Sequence, residues 1–240
     1  SSINTRKSDI VWNYIGTIVS MASGFVLLPL LMHFLSSSEL GLWYVYAALS
    51  NFAMLFEFGF NPTFARNIVY VISGARHLSI EGCDIKSVQE GIDWHLLNTV
   101  IKASKVIYAI LAVVVLALLS TIGSLYISFV ASGMGSFDIW VSWGLFCASV
   151  FLNLYFLWSI TVLRGYGDIA GENKAVVIGR AAQLSVSAIL LLLGYGLVGA
   201  AIGYLANAIL LRLSAVVMLR KHKEIEKGRH SDTMPVEASS

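Results

Sequence analysis

The sequence predicts an all-helical integral membrane protein, a bundle of six transmembrane helices, on three observations. Six apolar runs lie near or above the roughly 20 residues that cross hydrocarbon as a helix. Hydrophobic residues make up 57% of the chain and charged residues only 12%, with a mean hydropathy of +0.77. All 16 Lys and Arg residues can be placed on one side of the bundle. A segment in lipid must satisfy its own backbone, so runs of this length are helices; closed barrels use shorter, alternating strands.

The first run, Ile10 to Leu35, is too long for a signal-peptide core and reads as a retained helix. Pro29 inside it lacks an N–H and predicts a kink or an interruption one turn earlier. Ser36 and Glu39 have the spacing of a capping box, which starts the second run, Leu40 to Phe60, after a tight turn. The connector from 66 to 98 carries Ile85, Val88, Ile92 and Leu96 at helical spacing. Glu90 and Asp93 take its solvated face, so it predicts an amphipathic helix on the membrane surface. Val100 to Val130 and Ile139 to Leu163 are the third and fourth spans. Gly165 and Gly167 then signal a turn at a helix end. Ala175 to Leu193 and Leu197 to Met218 are the fifth and sixth. Gly199 and Gly203 give the sixth span a close-packing face, used within the bundle or, alternatively, in a dimer. Residues 220–240 form a charged tail that begins as a solvated helix extension and becomes linker or disordered chain from 228 to 240.

Sidedness follows from the connectors. Ser36 to Glu39, Ala131 to Asp138 and Gly194 to Gly196 contain no Lys or Arg and face outward. Arg6 and Lys7, then Arg66, Arg76 and Lys86, then Arg164 and Lys174, and finally Arg220 to Arg229 take the opposite side. By the positive-inside rule both termini of this multi-pass protein are cytoplasmic.

Charged groups inside spans are expensive and face a cavity, a partner or the headgroups. Arg180, with Gln183 and Ser187 at i+3 and i+7, makes a polar stripe on an aliphatic helix and predicts a cavity wall. Arg212 and Lys105 divide between cavity and headgroups; Lys102, Arg66 and Arg164 fit the snorkelling of boundary cations. Asn13, Asn51, Asn153 and Asn207 add uncharged polarity. If these groups converge, they line a wet cationic vestibule open to the cytoplasm. Arg180, Arg212 and Lys105, with Arg66 and Arg164 at its mouth, then suit a phosphate or pyrophosphate, to which Arg offers paired hydrogen bonds. Glu57 is the one carboxylate within a span, placed to couple an ion or to pair with a cation. Cys83 and Cys147 form no redox motif, the five histidines have no ligand spacing, and no phosphate loop or nucleophile elbow is present. The expectation is no catalytic residue, no metal, no cofactor and no nucleic-acid partner.

Several stretches in order resemble the polysaccharide and O-antigen flippases of the multidrug, oligosaccharidyl-lipid and polysaccharide exporter superfamily. They are Leu35-Ser-Ser-Ser-Glu-Leu-Gly-Leu-Trp43, Phe58-Gly-Phe60 leading to Ala65-Arg66, Arg164-Gly-Tyr-Gly-Asp168, and Gly194-Tyr-Gly-Leu-Val-Gly-Ala-Ala-Ile-Gly203. The resemblance implies a bacterial cytoplasmic-membrane transporter that moves polyprenyl-pyrophosphate-linked oligosaccharide by alternating access. Such transporters have 12 or 14 helices in two lobes of six. The chain corresponds to the first lobe, which makes a truncated sequence the expectation and a missing second lobe the partner, ahead of a homodimer through Gly199 and Gly203. A cation-coupled drug exporter of the same superfamily would lean on Glu57. A membrane-embedded glycosyl or phosphoglycosyl transferase would need Asp84, Glu90 and Asp93, and a purely structural partner of another membrane subunit is the remaining alternative.

The topology is open to test in a chain whose native cysteines are replaced by serine. A membrane-impermeant thiol reagent outside intact cells is expected to label Ser38→Cys and to leave Ser231→Cys unmodified; the reverse pattern would invert the orientation.

Overall fold

The path of the chain is set by where each helix can start and stop. The computed structural model describes residues 7–57, 59–75, 78–79, 82–83, 92–131 and 136–232, with side chains omitted for 78–79, 82–83, 136 and 221–232. Helix α1 (Lys7–Phe34) runs unbroken through Pro29, where a kink or interruption was expected. Helix α2 (Ser37–Leu55) begins at the expected capping box: the Glu39 N–H donates to the Ser36 hydroxyl at 3.3 Å, and the Ser36 N–H donates to the Glu39 carboxylate at 2.9 Å. The second apolar run does not continue as one helix to Phe60. It breaks after Leu55, and Gly59, at φ 76°, takes a left-handed conformation before α3 (Phe60–Ile72) starts.

Helix α3 therefore occupies the first part of the segment read as a surface connector, and it is packed rather than surface-bound, with Ala65, Ile68 and Val71 buried. A two-residue antiparallel ladder, β1 (Leu78–Ser79) with β2 (Gly82–Cys83), follows. Ile85, Val88 and Glu90 lie outside the described residues. Ile92 and Asp93 are not helical, and Asp93 caps the next helix by accepting the Leu96 N–H at 2.9 Å instead of lining a solvated helix face. That helix, α4 (Trp94–Leu118), starts before the apolar run because a cap, not hydrophobicity, sets its end. A π-helical turn (Leu119–Gly123) joins it to α5 (Ser124–Val130). Helices α6 (Ser136–Tyr155) and α7 (Leu157–Gly165) are separated at Phe156. Gly167, at φ 75°, makes the expected turn, and Asp168 caps α8 (Ile169–Leu192) through the Gly171 N–H at 2.8 Å. Helix α9 (Gly196–Asp232) runs past the apolar span, so residues 228–232, read as linker, are helical.

Among the described residues, five segments are long and apolar enough to cross a membrane: Lys7–Phe34, Trp94–Val130, Phe137–Gly165, Ile169–Leu192 and Gly196–Arg220. Helix α2 is not among them, since Glu39, Ser50, Asn51 and several ring-bearing side chains dilute its apolarity.

Among the described residues the interior holds two apolar cores. One gathers Leu42, Tyr46 and Ala53 of α2 with Ala112 and Val115 of α4, Trp143 and Phe146 of α6, Leu191 of α8, and Leu197 and Ala200 of α9. The other gathers Ile68 and Val71 of α3 with Leu97 and Ile101 of α4, Val162 and Leu163 of α7, Ala175 of α8, and Ala215 and Leu219 of α9. Along the paths from one core to the other lie polar residues: Glu57 and Asn61; Ser104 and Tyr108; Ser159; Arg180, Gln183 and Ser187; and Asn207 and Arg212. Asn153, within the first core's stretch of α6, reaches Arg212 from there. A polar belt thus separates the two cores. The α2–α3 break falls at its level and the α6–α7 break between Leu154 of the first core and Ser159. Lys7, Arg66, Lys102, Lys105, Arg164, Lys174 and Arg220 all belong to the end of the bundle that carries the second core.

Helix α8 packs most extensively on α9 and next on α1. The glycine pair serves the first of these contacts. A Cβ on Gly203 would come within 1.9 Å of the Ser187 hydroxyl oxygen, and one on Gly199 within 2.9 Å of the Leu190 Cβ. The close-packing face is therefore filled by α8, which leaves it closed to a second copy. Gly203→Ala is expected to destabilise the protein by about 1–3 kcal/mol through overpacking. Gly144→Ala, where a Cβ meets nothing within 4 Å, is expected to be neutral or stabilising. Thermal unfolding in detergent compares the two.

Candidate functional site

One face of α2 and one face of α8 line a common cavity. On α2, Trp43, Tyr46, Ser50 and Asn51 recur at helical spacing, and on α8 Arg180 and Gln183 do the same. With Phe146 of α6 and Tyr204 of α9 these residues line a cavity of about 240 Å³. Its aromatic wall is continuous: the Phe146 ring stacks on Tyr46 at 5.0 Å and on Tyr204 at 5.8 Å, while Trp43 meets Tyr204 edge-on at 6.3 Å. The Ser50 and Tyr204 hydroxyls are 2.6 Å apart and tie α2 to α9 at the cavity edge.

The charged wall is held from behind. The Arg180 guanidinium donates to the Gln183 side-chain oxygen at 3.2 Å, and the Asn207 amide donates to the same oxygen at 3.0 Å. Gln183 is only 4% exposed, so its carbonyl is a fixed buried acceptor shared by α8 and α9. Gly179 makes room for this chain: a Cβ there would fall 2.5 Å from the Asn207 side-chain oxygen. Arg180 itself is half-buried, and a guanidinium with one intramolecular partner keeps several donors for a ligand.

The other expected site residues are distributed more widely than one vestibule. Arg212 is 7% exposed and donates to the Asn153 oxygen at 3.3 Å; it lines a separate groove between α6 and α9. Arg66 and Lys105 have exposed side chains at the basic end, with the Lys105 ammonium 4.2 Å from the centre of the Trp158 ring. Arg164 is likewise exposed and forms a two-pronged pair with Glu172 across the α7–α8 turn. Asn51 lines the cavity, whereas Asn13 sits exposed on α1, where its carbonyl accepts the Thr17 hydroxyl. Of the five expected cations, only Arg180 lines the α2–α8 cavity.

Glu57 sits in the break between α2 and α3. Its carboxylate accepts the Asn61 N–H at 3.1 Å, so it satisfies a free donor in the first turn of α3. The Asn61 side-chain oxygen in turn accepts the Thr161 hydroxyl at 2.9 Å, and Tyr108 lies 3.4 Å from that hydroxyl.

Trp43, Tyr46, Ser50, Phe146 and Tyr204 were not singled out from the sequence as site residues. The i, i+3, i+7 recurrence of Trp43, Tyr46 and Ser50 was a legible signal on α2, but rings at helical spacing are ordinarily core. The cavity offers a fixed cation, amide and hydroxyl groups, and flat apolar faces. No family model, curated protein or solved structure matches the chain.

Gln183→Leu is expected to cost about 1–3 kcal/mol, since it strands the buried Asn207 amide and frees Arg180. Asn13→Leu, at an exposed position, should stay within about 0.5 kcal/mol of the parent. Denaturation in detergent measures both.

Proposed function

We propose that the chain is one lobe of an alternating-access transporter, crossing the membrane six times, with α2 and α3 together forming the second, broken crossing. Its substrate is an amphiphile with an anionic, sugar-bearing headgroup, of the lipid-linked oligosaccharide class that the resemblance implies. The observation that carries this reading is the α2–α8 cavity, in which Arg180 is fixed by Gln183 opposite an aromatic wall. A cation placed there between two apolar cores has a functional explanation in an anionic ligand. Aromatic faces with neighbouring amides and hydroxyls suit a sugar ring, which has both apolar faces and hydroxyl edges.

Two further features support transport. Interrupted helices in a polar belt are the usual construction of transporter binding sites, because irregular backbone is tolerated where it lines a cavity. The basic residues collect at one end, which the positive-inside rule makes cytoplasmic, so the lobe presents a cationic entrance to that side. Glu57, engaged by the first turn of α3, has a structural partner there, which favours an anionic substrate over a cationic drug.

Sugars cannot cross hydrocarbon unaided, whereas a polyprenyl tail need not leave it. In this reading the lobe contributes the phosphate-binding Arg180 and the sugar-stacking wall, and rocking against a second lobe moves the headgroup. The test is binding of a short-chain polyprenyl diphosphate sugar to the purified protein. Wild type is expected to bind it and not the uncharged polyprenol, and Arg180→Gln is expected to weaken binding roughly 10- to 100-fold, the worth of charge-assisted hydrogen bonds. Equal affinity for the diphosphate and the polyprenol would overturn the assignment.

A further inference from the structure

A second cavity, of about 280 Å³, lies between α6 and α9 and has a different chemistry. Its walls include Leu152 of α6, Phe156 of the α6–α7 break and Ile209 and Leu213 of α9, and two arginines of α9, Arg212 and Arg220, line it as well. The groove opens sideways: of its lining residues, Ile209 and Leu213 are 39% and 56% exposed. On a helix that crosses a membrane, such a flank meets lipid.

The two arginines are unevenly placed. Arg220 is exposed at the basic end, where α9 leaves its apolar span. Arg212 lies eight residues earlier, about 12 Å along the axis. It is 7% exposed, it bonds Asn153, and its Nε–H has no hydrogen-bond partner. Among the described residues neither arginine has a carboxylate at ion-pair distance; the pair that does form is Arg164 with Glu172. The charged side chains that line the groove are both positive.

We infer that this groove is a binding site for an anionic phospholipid of the leaflet at the basic end, with its phosphate at Arg220 and an acyl chain along Leu152, Ile209 and Leu213. Charge complementarity selects the headgroup, and the lateral opening selects a ligand that arrives through the bilayer. Basic grooves between crossing helices are suited to anionic lipid, each Lys or Arg near the surface contributing about 1 kcal/mol. The ester oxygens of such a lipid lie below its phosphate, on the side toward Arg212, which has donors in excess of its single partner. The site requires a membrane setting but not transport, so it stands apart from the cavity at Arg180.

The experiment uses the full chain in vesicles of phosphatidylcholine with and without phosphatidylglycerol. Native mass spectrometry then counts the lipid retained, and thermal unfolding measures its effect. Wild type is expected to retain phosphatidylglycerol over phosphatidylcholine and to unfold at a higher temperature with it. Arg220→Gln is expected to lower that retention roughly 5-fold, the equivalent of about 1 kcal/mol. Leu213→Trp, which fills the groove and keeps both charges, should lower retention of either lipid. Binding of the short-chain diphosphate sugar should be unchanged in both variants, so the fate of this site is read separately from that of Arg180. Equal retention of the two lipids, or variants that behave as wild type, would overturn the inference. Displacement of phosphatidylglycerol by inorganic phosphate would do so in favour of a soluble anion, and loss of the groove into a dimer in favour of a second copy.

Discussion

The polar belt between two apolar cores is the constraint on which the rest of the architecture turns. Each path through the bundle leaves one core, carries a polar side chain across the middle, and enters the other. Polar groups at such depth are tolerated only where partners are supplied, and the partners here come from different helices: Gln183 joins α8 to α9, Asn153 joins α6 to α9, and Asn61 joins α3 to α7. The belt is therefore both a cost and a register. A shift of α9 by one residue would separate Asn207 from Gln183 and Arg212 from Asn153 together. Apolar packing alone, between aliphatic surfaces that resemble lipid tails, offers no comparable penalty.

The belt also explains the broken helices. Backbone groups released between Leu55 and Phe60 need donors and acceptors, and the middle of this bundle supplies them: the Asn61 N–H goes to Glu57, and the Phe60 N–H goes to the Glu57 carbonyl at 2.9 Å. In either apolar core the same interruption would leave those groups without partners. The π-helical turn Leu119–Gly123 shows another solution inside the first core. Gly123 there lets the Trp143 ring approach, and Ser124 accepts the Trp143 indole N–H at 2.9 Å.

Helical class, membrane character and charge asymmetry were legible in the sequence because length, composition and the placement of Lys and Arg survive any detail of packing. The caps at Ser36–Glu39 and the turn at Gly165–Gly167 were legible because their chemistry is local. The break at Phe56–Gly59 was not, since the apolar run passes through it and only a left-handed Gly59 marks it. Asp93 was misread because its role depends on where α4 begins, which a hydrophobic count cannot locate. The convergence of Arg180 with Gln183 was predicted by their shared stripe on one helix. The aromatic wall opposite them required knowing which helix α8 faces, and no property of α8 alone encodes that. Arg212 and Arg180 look equivalent as charges in apolar runs, yet they line different cavities, because Arg212 lies on the part of α9 that meets α6 rather than α2.

In the proposed reading, that division bears on how one lobe binds a large amphiphile. A single vestibule holding every cation would attract any anion and release it slowly, since desolvated charges act at full strength on one another. Distributing the cations instead gives each a separate condition for engagement. Arg180 is held half-buried beside rings and amides, so in the proposed reading an anion bound there also meets the aromatic wall. The cations at the basic end are exposed, and screening by salt limits them to collecting anionic molecules near the surface. Arg164 is further restrained by its pair with Glu172. Selection by two unlike contacts, a fixed charge and a flat apolar face, discriminates between a bare phosphate and a sugar-bearing one in a way that additional arginines could not.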